Sequence, residues 1–157
     1  MSAVLTDHDL AAQSAAFERA RAEEIVEWAA ATFGDGLCLT TSLTDAVLLD
    51  LAARVVPGIE VVFLDTQYHF PETLATLAVV RERYPVRVSV RRPERRLDDL
   101  WRTNTDACCR ARKVVPLDEA LADKTAWLSG LRRADSAERA GTPIVSRDRR
   151  GLVKVNP

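Results

Sequence analysis

The feature that most restricts the fold of this 157-residue chain is an alternation of short apolar runs with segments of helical periodicity. The runs predict strands at residues 37–40, 59–64, 86–90, 126–129 and 152–155. Between the first three strands, apolar residues recur at helical spacing in residues 45–55 and in a segment that opens at Pro71. This order predicts right-handed crossovers and an α/β fold, with a mostly parallel sheet and helices on both faces.

The remaining segments are assigned from periodicity and breaks. Residues 9–33 have the apolar spacing of one long helix, and residues 109–122 that of a helix interrupted at Pro116. Mixed charges over residues 95–107 favour a loop. The length suits one domain, residues 1–157, rather than two.

Composition excludes several classes of protein. No run of roughly 18 apolar residues predicts a membrane span. The first ten residues include Asp7 and Asp9 and lack both a basic start and an apolar region, so we expect no secretory signal. Three cysteines, two of them adjacent, do not suggest a disulfide framework. These features predict a cytoplasmic protein with no membrane partner.

Charge is distributed unevenly along the chain. Residues 1–80 contain 3 Lys/Arg against 12 Asp/Glu, whereas residues 81–113 contain 11 against 5. Such asymmetry is typical of a surface that meets a polyanion, although the basic residues also suit an ordinary solvated face. Only Trp101 accompanies the basic stretch and no recognised nucleic-acid module is present, so we predict no nucleic-acid partner.

A polar turn at residues 40–45 lies between the first predicted strand and the helix at 45–55. Free backbone N–H groups and the positive helix end meet there, and the hydroxyls of Thr41, Ser42 and Thr44 add donors. The turn predicts a phosphate or sulfate site, unless Thr44 simply caps the helix. It is not a Walker A loop, because the chain has no G-x-x-x-x-G-K-[ST] motif.

A second polar loop, residues 64–70, directly follows the strand at 59–64. Ligands of open parallel sheets bind beyond the carboxyl ends of the strands, so we expect this loop beside the first. Asp65 is a candidate acceptor for a ribose or adenine donor, and His69 is a candidate donor. The alternatives are a turn capped by Asp65 and a structural histidine.

Adjacent cysteines, Cys108 and Cys109, are the third chemical feature. Three cations follow within four residues, at Arg110, Arg112 and Lys113. Cationic neighbours favour the thiolate that binds metals, but a cubane cluster takes four thiolates. Cys38 lies inside a predicted strand, where it is a small core residue. Either the pair is buried and inert, or its partner ligands are missing from this chain.

The fourth feature is a pair of arginines, Arg132 and Arg133, after the strand at 126–129, with Arg139 six residues further on. Guanidinium groups match the geometry of phosphate and sulfate oxygens, so all three are candidate anion ligands. An ordinary surface loop is the alternative.

In order and spacing, four segments resemble the adenylylsulfate/phosphoadenylylsulfate reductase family. They are TSLTDAVL (41–48), LDTQYHFPET (64–73), CCRARKVVPL (108–117) and GLRR (130–133). The resemblance covers about residues 25–157 and implies an adenine-nucleotide α-hydrolase fold of the ATP pyrophosphatase type. The cysteine pair is similar to that of the bacterial branch that binds a [4Fe–4S] cluster and prefers adenylylsulfate (APS). The implied activity is thioredoxin-dependent reduction of APS to sulfite and AMP in assimilatory sulfate reduction.

The resemblance also implies roles for individual residues. Those expected to bind the substrate are Ser42, Thr44, Asp45, Asp65, Thr66, Arg132, Arg133 and Arg139. Cys108 and Cys109 are expected to be two of four cluster ligands, and Lys113 is expected to lie between cluster and sulfate. In the family, a C-terminal cysteine attacks the sulfur, and thioredoxin then releases sulfite from the S-sulfocysteine.

This sequence departs from the family pattern in two ways. Gln67 stands where the family usually has glycine, so we expect a slightly altered loop backbone. The second cysteine pair, C-x-x-C, and the nucleophilic cysteine are not among the 157 residues. We therefore expect a C-terminally truncated nucleotide-binding domain that is inactive alone.

Two alternatives come from other classes of protein. The first is a related ATP pyrophosphatase-type adenylyltransferase, which generally has a Gly-Gly loop, whereas residues 42–45 contain no glycine. The second is a non-catalytic nucleotide- or metal-binding module. The sequence leaves the oligomeric state open, a homo-oligomer included.

Overall fold

A six-stranded sheet forms the centre of the structure, a computed structural model that describes residues 5–157. Its strands are β1 (Leu37–Thr41), β2 (Glu60–Leu64), β3 (Arg87–Arg91), β4 (Ala126–Ser129), β5 (Val145–Arg147) and β6 (Val153–Val155). Their order across the sheet is β3–β2–β1–β4–β6–β5. Neighbouring strands are parallel, except that β5 is antiparallel to β6. The predicted mostly parallel sheet is confirmed.

Helices cover both faces of this sheet. They are α1 (Asp7–Ala16), α2 (Ala22–Phe33), α3 (Val47–Val55), α4 (Pro71–Arg83), α5 (Leu100–Thr103), α6 (Thr105–Cys109) and α7 (Val115–Ala120). Buried residues of α1 to α4 pack with Leu39 and Phe63 on one face. Ala120 of α7 packs with Cys38 and Val62 on the other. Successive strand residues point to opposite faces, so β1 and β2 must be apolar on both.

The N-terminal helical region differs from the prediction. The single helix predicted over residues 9–33 is wrong, because α1 and α2 are separated by a short 3₁₀ turn and two extended residues. Ala20 and Arg21 have ψ angles of 154° and 151°. The Arg21 backbone N–H donates to Glu24 Oε2 at 2.8 Å. This local cap starts a new helix where apolar periodicity alone shows no break.

The segment before the cysteines also differs. The predicted loop at residues 95–107 contains α5 and the start of α6. The Asn104 side chain accepts from the Ala107 N–H at 3.0 Å and caps α6. The predicted interruption at Pro116 lies earlier instead, as a π-helical turn from Arg110 to Val114. In a regular α-helix the proline ring would clash with the Arg112 carbonyl, and a wider turn relieves such a clash.

Strand β5 was not predicted. It has three residues, and only Val145 among them is apolar. Its position depends on contacts distant in sequence: Val145 pairs with Val155 of β6, and its N–H donates to Ser14 Oγ of α1 at 3.3 Å. Across residues 5–157, we find no helix with the length and apolar character that crossing a membrane would require.

Candidate functional site

The site lies at the carboxyl ends of β1, β2 and β4. Thr40 of β1 is level with Val62 of β2 and Ser129 of β4, so the loops that follow these strands emerge at one edge. They border a cleft of about 1360 Å³. The predicted site residues that line it are Ser42, Thr44, Asp45, Thr66, Cys108, Cys109, Lys113, Arg132 and Arg139. The fold therefore brings together four motifs that are distant in sequence.

The turn after β1 presents hydroxyls to the cleft. Thr41 Oγ1 accepts from the Leu43 N–H at 3.0 Å, and Leu43 has a φ of +55° with its side chain in the core. This reversal leaves Ser42 and Thr44 exposed, with their hydroxyl oxygens 3.0 Å apart. Thr44 does not cap α3, because Ala46 is the N-cap residue; Asp45 Oδ1 instead accepts from the Val47 N–H at 3.1 Å. Both hydroxyls are therefore available to a ligand.

In the loop after β2, Thr66 lines the cleft and Asp65 does not. The Asp65 carboxylate is buried, and it accepts from the Gln67 N–H at 2.9 Å and from Arg92 Nε at 2.7 Å. Burial would raise the pKa of Asp65, but these two bonds outweigh it and hold the pKa below its usual range. Asp65 shapes the loop rather than facing the cleft.

His69 also lines the cleft, and two contacts fix its ring. Its Nε2 lies 2.8 Å from the Leu64 carbonyl oxygen at the end of β2. Its ring centroid lies 4.9 Å from that of Phe63. The loop therefore turns back onto the strand that precedes it.

Cys108 and Cys109 stand at the cleft, the first partly exposed and the second exposed. A buried, inert pair is thereby ruled out. Within residues 5–157, however, no group of three or more His, Cys, Asp or Glu side chains is placed to hold a metal ion. The pair supplies two thiols where a cubane cluster takes four, so these residues do not form a complete cluster site.

The third cysteine, Cys38, is fully buried in β1, as the sequence predicts. Burial, with a smaller contribution from Glu60, raises the pKa of its thiol to about 12. A neutral buried thiol is inert toward solvent reagents.

This arrangement predicts a count of reactive thiols. With Ellman's reagent near pH 8, we expect Cys108 and Cys109 to react in the folded chain, and Cys38 to react only after denaturation. The variant Cys38→Ala should lose the thiol that reacts only after denaturation and keep the two that react in the folded chain. Three fast thiols in the folded chain would contradict the burial of Cys38.

Two arginines that line the cleft, Arg132 and Arg139, both pair with the carboxylate of Asp135. Asp135 Oδ1 lies 3.2 Å from Arg132 Nε, and its Oδ2 lies 3.4 Å from Arg139 Nη1. The Arg132 backbone N–H and these guanidinium groups lower the pKa of Asp135. Each guanidinium has further donors, which leaves both able to bind an anion. Asp135 is not among the predicted site residues, although an acid three residues after an arginine is a visible signal.

Arg133 does not line the cleft. Its guanidinium donates to both carboxylate oxygens of Glu18, at 2.7 and 2.8 Å, and to the Thr142 carbonyl at 2.8 Å. The two adjacent arginines therefore have different surroundings. Arg132 faces the candidate site, and Arg133 joins the loop to the short 3₁₀ turn that contains Glu18.

The cleft is cationic overall. The exposed cations that line it are Lys113, Arg132 and Arg139, against the carboxylates of Asp45 and Asp135. Such a balance favours an anionic ligand.

Comparison with known proteins identifies similar sequences. The model of the phosphoadenosine phosphosulfate reductase domain matches residues 37–157. The adenosine 5'-phosphosulfate reductase of Streptomyces coelicolor is 47% identical over 149 residues, covering 89% of this chain and 63% of that protein. The reductase of the same name from Mycobacteroides abscessus is 42% identical and covers 99% and 73%. The chain thus spans less than two thirds of the Streptomyces relative.

Solved structures agree with the fold. Phosphoadenylyl-sulfate (PAPS) reductase from Candida auris, in a phosphate complex, matches with a TM-score of 0.84 and 26% identity, over 100% of this chain and 81% of that one. The FMN adenylyltransferase of Candida glabrata matches with a TM-score of 0.61 at 12% identity, over 98% and 54%, a likeness of fold alone. The predicted adenine-nucleotide α-hydrolase-like fold is confirmed.

Proposed function

This chain belongs to the phosphoadenosine phosphosulfate reductase family, and from that premise we propose that its cleft binds adenylylsulfate for reduction to sulfite and AMP. The observation that carries the proposal is the meeting of hydroxyls and cations at one edge of the sheet. Ser42 and Thr44 stand there with Lys113, Arg132 and Arg139 around a single cleft. This is where open parallel sheets bind their ligands.

The cleft has the size and chemistry for a sulfated nucleotide. Sites for small molecules usually occupy roughly 300–1,000 Å³, and the cleft of about 1360 Å³ leaves room beyond that range. The phosphosulfate end of the nucleotide would lie at the start of α3, where backbone N–H groups and the helix dipole favour anions. Arg132 and Arg139 add charge-assisted donors.

The proposed reaction transfers the sulfonyl group and then reduces it. The thiolate of the nucleophilic cysteine that the family resemblance implies attacks the sulfur, the bond from sulfur to the phosphate oxygen breaks, and AMP leaves to give an S-sulfocysteine. A dithiol, which we propose to be thioredoxin as the family resemblance implies, then reduces the S–S bond of the S-sulfocysteine, so that sulfite leaves, the cysteine thiol is regenerated and the dithiol becomes a disulfide. Lys113 and Arg132 would stabilise the negative charge on the sulfonyl and phosphate oxygens. Cys38 is unsuited to the attack because its thiol is fully buried.

We further propose Cys108 and Cys109 as two ligands of a [4Fe–4S] cluster. Their exposure at the cleft and the cations after them support this role. Because two thiolates are half of a cubane's complement, we propose that these 157 residues alone neither hold a stable cluster nor turn over. Free thiols at the surface also suit the reducing cytoplasm, where we place the protein.

Calorimetric titration of the 157-residue chain with APS, AMP and inorganic sulfate tests the binding proposal. We expect one saturable site for both nucleotides and binding of APS about tenfold tighter, because the sulfonyl oxygens add charge-assisted hydrogen bonds. If inorganic sulfate gave the same binding heats as APS, the cleft would be a general anion site. Absence of binding by either nucleotide would overturn the proposal.

A further inference from the structure

Arg112 is a buried cation that the proposed function does not use. Its side chain is 2% exposed, and it lies in the π-helical turn between α6 and α7, four residues after Cys108 and three after Cys109. A cation is buried at a high cost unless its donors are satisfied. Nε has no partner among residues 5–157, whereas Nη1 and Nη2 both do, and these partners show which segments Arg112 joins to the cysteine-bearing helix.

One group of partners lies in the loop after β2. Nη1 of Arg112 donates to the Thr66 carbonyl at 3.2 Å and to Gln67 Oε1 at 2.7 Å. The guanidinium carbon lies 4.7 Å from the centre of the Tyr68 ring. Three consecutive residues of the loop are thus held by one side chain, and the shortest of these hydrogen bonds goes to Gln67.

A second group lies in the basic segment after β3. Nη2 of Arg112 donates to the Arg96 carbonyl at 2.9 Å and lies 3.2 Å from Asp98 Oδ1. The Tyr68 hydroxyl donates to the Asp98 carbonyl. These contacts fix the guanidinium from its other side, so that its position does not depend on the loop alone.

Gln67 adopts an unfavourable backbone conformation to make its contact. Its φ of +69° lies in the left-handed region, which glycine enters freely and which side chains with a Cβ rarely adopt. Glycine would give the same turn without strain, but it would offer no acceptor to Arg112. The side-chain amide of Gln67 therefore contributes a hydrogen bond to Arg112 that the backbone turn alone does not provide.

We propose that Gln67 is a positioning residue that, through Arg112, fixes the Thr66 loop against the helix carrying Cys108 and Cys109. The proposal rests on the proposed function, because Thr66 and the two cysteines line the same cleft. The nucleotide-binding loop and the proposed cluster ligands are then held in one fixed arrangement. Ligand binding at the loop is consequently linked to order in the cysteine helix.

Two variants separate this role from the shape of the loop. Gln67→Gly keeps the backbone conformation, removes its strain and deletes the acceptor. Gln67→Glu keeps an acceptor of the same reach and should bind Arg112 as an ion pair. Hydrogen exchange measured by mass spectrometry on the unliganded 157-residue chain reports local order, and titration with AMP reports binding.

For Gln67→Gly we expect about tenfold faster exchange in peptides covering residues 62–73 and 105–114, because one hydrogen bond from a charged donor is lost. We expect about tenfold weaker AMP binding and a melting temperature no lower than that of the wild type. In Gln67→Glu, the exchange rates of both peptides and the affinity for AMP should match those of the wild type.

Unchanged exchange in both peptides of Gln67→Gly would overturn the inference, and so would faster exchange throughout the chain with a lower melting temperature. The exchange result does not depend on nucleotide. If the wild-type protein fails to bind AMP, while exchange in the two peptides is faster in Gln67→Gly and at the wild-type rate in Gln67→Glu, the proposed function fails and the link between loop and helix stands.

Discussion

Replacing Arg132 with alanine is expected to weaken APS binding by about ten- to a hundredfold, the range for loss of a charge-assisted hydrogen bond to an anion. Arg132 lines the cleft, and its guanidinium contacts Asp135 while keeping further donors free. Calorimetric titration of the variant with APS measures the change. Circular dichroism should show unaltered secondary structure, because the Arg132 side chain is 69% exposed.

Arg133→Ala is the matched control. It removes the same side chain one residue further along, but Arg133 binds Glu18 and the Thr142 carbonyl outside the cleft. We expect APS affinity within about twofold of the wild type, since exposed ion pairs contribute little. Equal losses in Arg132→Ala and Arg133→Ala would mean that the loop, and not the cleft-facing guanidinium, determines binding.

Replacing Lys113 with alanine is expected to separate the two nucleotides. Lys113 lines the cleft four residues after Cys109, where we place the sulfonyl end of the substrate. Loss of its ammonium group should weaken APS binding about tenfold or more and leave AMP binding nearly unchanged, because AMP lacks the sulfonyl oxygens. Parallel titrations of the variant with APS and AMP measure this difference.

Arg110→Ala provides the comparison for Lys113. Arg110 is exposed on the same π-helical turn and is not among the cleft-lining residues. Because Arg110 is solvent-exposed and does not line the cleft, salt weakens its effect on a ligand there, and Arg110→Ala should affect neither nucleotide by more than about twofold. If AMP binding falls as far as APS binding in Lys113→Ala, the lysine does not act at the sulfonyl end.

The central strands were predictable because they are buried on both faces, which produces apolar runs such as β2. Strand β5 lacks that signal, since Ser146 and Arg147 are polar and the strand is stabilised by Val155 and Ser14 far away in sequence. Helices α5 and α6 were not predicted for a related reason. Each is too short for periodicity to be visible, and α6 depends on the Asn104 cap.

The location of the candidate site, the cleft, was predictable from the positions of polar residues at strand ends. Which side chains face the cleft was not, because that depends on partners distant in sequence. Asp65 is held by Arg92, 27 residues away, and Arg133 by Glu18, 115 residues away. A sequence shows that a charge is present, but not whether another part of the chain already binds it.

The backbone conformation of the loops at the cleft was also not predictable from the sequence. Leu43 and Gln67 have positive φ angles, one in each of the two loops that border the cleft. Neither is glycine, so residue type gives no indication of either conformation; at position 67 the only indication is the glycine that the family usually has there. Strained residues of this kind occur at ligand sites when the surrounding structure holds them in place. For Gln67 that support comes from Arg112.

Binding of APS at the carboxyl ends of β1, β2 and β4 can be followed residue by residue with ¹H–¹⁵N NMR of the 157-residue chain titrated with APS. We expect saturable shifts in the backbone signals of residues 42–45, Thr66, Lys113 and Arg132, all at the cleft. Signals of Gln13 and Trp28, which line a separate small cavity, should not move. Shifts confined to that cavity, or none at saturating APS, would show that APS does not bind in the cleft.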